Sequence, residues 1–279
     1  VQTCALPISR LSNPQTLRKV LDAIKELVEE ANLECNESGL SLQAMDSSHC
    51  SLVSMNLNSK AFEKFECSEN ETLGVNLVSI QKILKCGENN DILTLSTNAD
   101  HSQLKFQFEN GGRFSEFSLA LMDIDTDKLT IPEAEPEAKI KLSSSQFSKI
   151  CRDLSQCGDT VKITVKPKTI IFSATGQLGN GSVTLNTYGS TDDENAVEIT
   201  MDDSVDKLEL SFALKHLNIF TKASPLSDTI ELDLSNGRPL VVLFNLDDDS
   251  GYIKYFLAPK VDEDEDEDDE QNEERSEER

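Results

Sequence analysis

The chain has 279 residues, of which 37% are hydrophobic, and a formal charge of −25. That length suits two domains with a packed core in each. No run of about 18 apolar residues occurs, so no spanning helix is expected. Seven Cys without a C-x-x-C pair argue against a disulfide frame or a zinc site and for reduced thiols.

Val1–Ile8, "VQTCALPI", fit no later pattern and read as a non-native leader. Then "LRKVLDAI" (17–24) puts Leu17, Val20, Leu21 and Ile24 on one helical stripe. "GLSLQAM" (39–45) alternates as a strand does. "QAMDSSHCSL" (43–52) gathers the reactive groups Asp46, Ser48, His49 and Cys50. A nucleophilic site is one reading of them. Against it, neighbours on a strand point to opposite faces, and no oxyanion-type turn, metal spacing or phosphate loop accompanies them. Asp46 and the two Ser are expected to shape a turn through side-chain-to-backbone bonds. His101 and His216 are read as standing alone.

The pattern repeats. "FSKICRDL" (147–154) carries the first helical stripe 130 positions later, and "TIIFSAT" (169–175) repeats the strand. "LGVNLVSIQKILK" (73–85) lies over "LSFALKHLNIFTK" (210–222) as a second helix pair, at an offset of 137. Short alternating strands surround the helices, among them "SLVSMNL", "SQLKFQF", "FSEFSLAL", "VKITV", "SVTLNT", "PLVVLF" and "YIKYFL". The expectation is an α+β chain of two topologically equivalent domains with antiparallel sheets covered on one face. Its divisions are a leader 1–8, a first domain 9–121, a linker 122–138, a second domain 139–261 and a tail 262–279. The linker is acidic and Pro-rich, with an apolar island at Leu129 and Ile131. The tail holds thirteen acids and two Arg and is expected to be disordered.

All four expected helices carry cations off their apolar stripes: Arg18, Lys19 and Lys25; Lys82 and Lys85; Lys149 and Arg152; Lys215 and Lys222. If the helices share one face, that face suits a phosphate backbone without base readout. Ordinary solvated helix faces are the alternative, supported by Asp22, Glu26, Glu29 and Glu30.

"MDSSHCSLV", "GVNLVSIQKILKCG", "FSKICRDLSQCGD", "FSATGQLGNG", "LNIFTKASPLSDT" and "YFLAPK" resemble the proliferating cell nuclear antigen family, the eukaryotic DNA sliding clamps, from about Arg10 to Lys260. The resemblance implies a head-to-tail homotrimeric ring with helices lining the bore and sheets outside. It implies no catalytic residue, no metal and no cofactor. Duplex DNA would pass through the bore, touching the nine helix cations and Arg113. Subunits would join through Arg113, Phe117 and Leu119 of one edge and Leu178, Gly181, Val183 and Leu185 of the other. Gly179 and Gly181 would allow close approach or a bulge there. Partners would be DNA polymerase, the clamp loader, flap endonuclease, DNA ligase and mismatch-repair proteins. Their peptides would enter a pocket of Met45, His49, Leu52, Leu129, Ile131, Pro239, Phe256, Leu257, Ala258 and Pro259.

The implied role is a polymerase processivity factor in the nucleus, serving replication, repair and translesion synthesis. The tail suggests an acidic histone-chaperone-like protein as the alternative. The chain departs from the family's pattern in three places. Pro136 replaces a late linker aromatic, and Phe256 replaces a Tyr. Pro167, between Lys166 and Lys168, replaces the ubiquitin-accepting lysine.

Overall fold

A computed structural model describes residues 8–67, 70–98, 100–125, 129–130, 134–187 and 196–260. Of the sequence-based expectations, residues 1–7, Ile131 and the tail 262–279 lie outside these residues.

The first unit runs β1 (Ile8–Leu11), α1 (Gln15–Ile24), β2 (Glu30–Asn36), β3 (Gly39–Met45), β4 (Ser51–Asn58), β5 (Lys64–Glu66), β6 (Glu71–Asn76), α2 (Leu77–Leu84), β7 (Ile92–Thr97), β8 (Gln103–Asn110) and β9 (Arg113–Ala120). The second runs β10 (Ala138–Ser143), α3 (Ser144–Leu154), β11 (Thr160–Lys166), β12 (Thr169–Gly176), β13 (Gly179–Asn186), β14 (Glu198–Met201), β15 (Leu208–Ala213), α4 (Leu214–Phe220), β16 (Thr229–Leu234), β17 (Leu240–Asn245) and β18 (Gly251–Leu257). The order of strands and helices is the same in both. The duplication expected from the helix stripes is therefore a duplication of topology.

Sheet order repeats as well. β5-β1-β7-β8-β9 matches β14-β10-β16-β17-β18, and β4-β3-β2-β6 matches β13-β12-β11-β15. One junction is made within the chain. β18 pairs antiparallel with β4, from Gly251 opposite Leu57 to Leu257 opposite Ser51, which fuses two of these sheets into one of nine strands. The equivalent strands β9 and β13 are left as sheet edges.

Beneath the junction, Tyr255 of β18 stacks on Phe220 of α4 at 4.4 Å and meets Phe244 edge-on at 6.1 Å. Its buried hydroxyl donates to the Ala23 carbonyl of α1 at 3.0 Å. Burial pushes this phenol's pKa up. The ring thus packs within the second unit, and its hydroxyl ties that unit to the first by a hydrogen bond that satisfies its polar end.

Three expectations are corrected. Leu73–Asn76 and Leu210–Ala213, expected to be helical, are strand residues of β6 and β15. Leu73 and Leu77 keep a helical spacing because a strand residue and a helix residue both face the core. The first of these helices starts where the Asn76 side chain accepts from the Ser79 amide at 2.8 Å. Lys222 lies past α4 in the 3₁₀ segment Thr221–Leu226, which contains Pro225; proline has no amide to continue an α-helix. Ile8 and Ala138, assigned to leader and linker, open β1 and β10: Ile8 pairs with Glu66 and Ser96, and Ala138 with Met201 and Leu234.

Candidate functional site

The helices pack side by side in the order α2–α1–α4–α3, with Thr221–Leu226 against α1 and α3. Their stripes are buried: Leu17, Val20, Leu21 and Ile24 in α1; Phe147, Ile150, Cys151 and Leu154 in α3; Leu214, Leu217 and Phe220 in α4. The cations therefore share the opposite side of one layer. Residues 15–25, 77–85, 144–155 and 214–222 hold nine Lys and Arg against two acids, Asp22 and Asp153, in a chain of charge −25.

The nine cations are not equally available. Lys25 bonds Asp22 at 2.6 Å and Lys149 bonds Asp153 at 2.8 Å. Lys222 lies 3.7 Å from Glu26, and Arg152 lies 3.9 Å from Asp153. Arg18 donates to the Gly87 carbonyl, and Lys19 to the Pro225 carbonyl at 3.3 Å. Lys82, Lys85 and Lys215 are exposed and form no ion pair among the described residues. Lys25 and Lys85 are C-caps, where a cation complements the helix dipole. Arg113, at the start of β9, pairs with Glu88 just beyond α2.

On the opposite, sheet side, strand register builds an apolar row. Met45 of β3 faces Leu52 of β4, Leu52 faces Phe256 of β18, and Phe256 faces Val241 of β17. Leu129 lies beside this row, its backbone held in both directions by the Gln43 side chain at 3.0 and 3.1 Å. Leu129 remains 43% exposed. Pro239 and Ala258 are exposed and Pro259 half-buried, and the Ala258 amide donates to the Cys50 carbonyl at 2.9 Å. Leu257 is a correction. It is 1% exposed and belongs to the core, because alternate residues of β18 point to opposite faces. Val241 was missed; only the cross-strand register reveals it.

Asp46 organises the turn that follows Met45. Its carboxylate accepts from the Ser51 amide at 2.7 Å, the Ser48 amide at 3.2 Å and the Ser48 hydroxyl. Burial raises its pKa, but the bonds from Ser48 and Ser51 outweigh that and hold it at about 2. His49 takes a left-handed backbone, φ 56°, and its Nδ1 lies 3.0 Å from the Met45 sulfur. The turn-shaping role expected of Asp46 and Ser48 is what these bonds perform, with the Ser51 amide as a further donor. The carboxylate that accepts from the Ser48 hydroxyl is also the one that His216 approaches. His216 Nε2 is 3.5 Å from Asp46, and His101 Nδ1 is 3.3 Å from Glu71. The expectation that these histidines stand alone is overturned, since their partners are distant in sequence.

The edges β9 and β13 share one burial pattern, exposed alternating with half-buried. Phe117, Leu119, Val183 and Leu185 turn their half-buried sides to the core, whereas Leu178, in the β12–β13 turn, is 89% exposed. Gly181 is required by what lies below it: a Cβ there would sit 2.7 Å from the Cys157 sulfur and 3.2 Å from Leu154. Gly179 has φ +128°, a conformation few other residues adopt.

A family model for the N-terminal domain of proliferating cell nuclear antigen matches residues 8–129, and one for its C-terminal domain matches residues 130–260. The chain belongs to the proliferating cell nuclear antigen family of DNA sliding clamps. The two matches divide the chain as its duplicated topology does. This family is non-catalytic. It serves DNA replication and repair, and it implies DNA, a polymerase and self-association as partners.

Proposed function

We propose that three copies of this clamp close head to tail around duplex DNA, hold a replicative polymerase on its template, and recruit replication and repair proteins through the Met45–Leu52–Phe256 surface. The observation that carries the reading is the junction between β18 and β4. The same two kinds of strand, β9 and β13, are sheet edges among the described residues. Pairing them between chains repeats a junction the fold already makes and satisfies exposed backbone groups.

The internal repeat also gives a register. Carrying the β18–β4 pairing onto β9 and β13 sets Ser115 opposite Val183, Glu116 opposite Ser182, and Phe117 opposite Gly181. Phe117 then stands where Tyr255 stands in the internal junction. In such a ring the helix layer becomes the bore. Its cations, with Lys82, Lys85 and Lys215 unpaired, would touch phosphates weakly and without sequence preference, as sliding requires. Leu129, His49, Pro239, Ala258 and Pro259 would border the apolar row, and a partner peptide would bury its own apolar side chains there. Nuclear location, and service to flap endonuclease, ligase, mismatch repair and translesion synthesis, belong to the same proposal.

Loading onto nicked circular DNA, followed by gel filtration, tests the reading. The protein should co-elute with the circle and be lost when the circle is cut to a line. Equal retention on both forms would overturn it.

A further inference from the structure

The outer face of the sheet formed by β11, β12, β13 and β15 is basic, although the chain as a whole is strongly acidic. Lys162 and Lys166 are exposed positions of β11, while Val161, Ile163 and Val165 between and beside them turn into the core. Lys207 directly precedes β15, and Lys260 reaches the same face after β18, its Nζ bonding the Thr160 hydroxyl at 2.6 Å. Lys162 and Lys207 are each 49% exposed and share one carboxylate, Glu209, at 3.6 and 2.9 Å. Glu209 is the one acid in these four strands, in a chain that holds 51 Asp and Glu.

The internal repeat shows what such a face accepts. In the first unit, the equivalent face of β2, β3 and β6 carries the acidic chain that leaves β9. Met122 bridges Gly74 of β6, the Ile124 carbonyl accepts from the Asn32 side chain of β2 at 2.9 Å, and the Leu129 carbonyl accepts from Gln43 of β3 at 3.1 Å. That face holds its chain through neutral donors. On the second unit, register places Lys162 where the first has Asn32, and Lys166 where it has Asn36. The same kind of surface therefore has cations in place of amides.

We infer that this face binds an extended acidic segment of a partner protein, with the partner's carboxylates on Lys162, Lys166 and Lys207. At roughly 3.3 Å per residue, Lys162 and Lys166 lie about 13 Å apart along β11. An extended peptide has the same rise and turns every second side chain the same way, so carboxylates four residues apart meet both lysines. The peptide's backbone amides also offer donors to Glu209. A phosphate backbone has no such donor and meets Glu209 as a like charge, so the face favours a peptide over nucleic acid. This inference does not depend on ring closure or on the helix layer.

Fluorescence anisotropy of a labelled octaglutamate peptide tests it on the full chain. Salt of about 0.15 M, where the screening length is about 8 Å, damps repulsion from the distant acids of the chain. The peptide should bind, and K162Q/K166Q/K207Q should weaken it about tenfold, the effect of losing three exposed charge contacts. K162R/K166R/K207R should retain binding, which separates lost charge from a damaged sheet. K82E/K85E/K215E should leave the peptide unaffected. No binding to the full chain would overturn the inference, whether another part of the chain occupies the face or the face has no affinity. So would equal affinity of the glutamine variant and the parent, loss of the peptide in K82E/K85E/K215E, or a 20-base-pair duplex whose binding falls in the glutamine variant as far as the peptide's.

Discussion

The Asp46 carboxylate of the first unit and the His216 imidazole of the second lie 3.5 Å apart, one in the turn beside the apolar row and the other on α4 of the helix layer. The two faces of the molecule are therefore joined by a polar contact as well as by the Tyr255 stack. Asp46 is 8% exposed and is held ionised by Ser48 and Ser51.

Replacing Asp46 by Ala removes those bonds and leaves the Ser51 amide buried without its acceptor. Its pKa lies near 2 against an ordinary 3.8. A depressed carboxylate stabilises the fold above pH 4, and that contribution fades as pH falls toward 2. The variant should lose about 2 kcal/mol in urea denaturation at pH 7, with a smaller difference from the parent at pH 3. A difference that is the same at both pH values would show that the ionised carboxylate is not the source.

Lys82→Glu with Lys85→Glu should weaken DNA binding without changing oligomer size. Each lost phosphate contact lowers the salt slope by about 0.9, so the double variant should lose about 2 in slope. An unchanged slope would remove these lysines from the DNA-facing surface.

Leu129→Ala and Met45→Ala should each weaken a partner peptide by about tenfold, the effect of uncovering a few buried methylenes. Calorimetry checks this, and the oligomer mass should stay constant. Unchanged peptide affinity in both variants would place the peptide elsewhere.

Ser182→Glu sets a carboxylate opposite Glu116 in the inter-chain register taken from the internal junction. Like charges directly opposite cost about 0.2–1 kcal/mol per pair. Dilution should therefore dissociate this variant at several-fold higher concentration than the parent, and adding Glu116→Lys should restore it. Failure of the second change to rescue would reject the register.

The sequence revealed most where one side chain answers to one neighbouring layer. The α1 and α3 stripes and the β3–β12 match were legible because apolar spacing follows directly from what each face meets. Leu73–Asn76 misled because a strand running into a helix, with both ends facing the core, imitates a longer helix. Leu257 was misplaced because a resemblance names positions without saying which face of a strand they occupy. Val241, and the contact of His216 with Asp46, needed register and long-range packing, which local pattern does not contain. The surplus of cations on four helices was legible, but their common layer was not; the packing α2–α1–α4–α3 supplies it.

Ring closure is tested most directly by the mass of the protein in solution. Sedimentation equilibrium at micromolar concentration should return three times the chain mass of 30.9 kDa. A single-chain mass under those conditions would contradict the pairing of β9 with β13, and with it the enclosed bore.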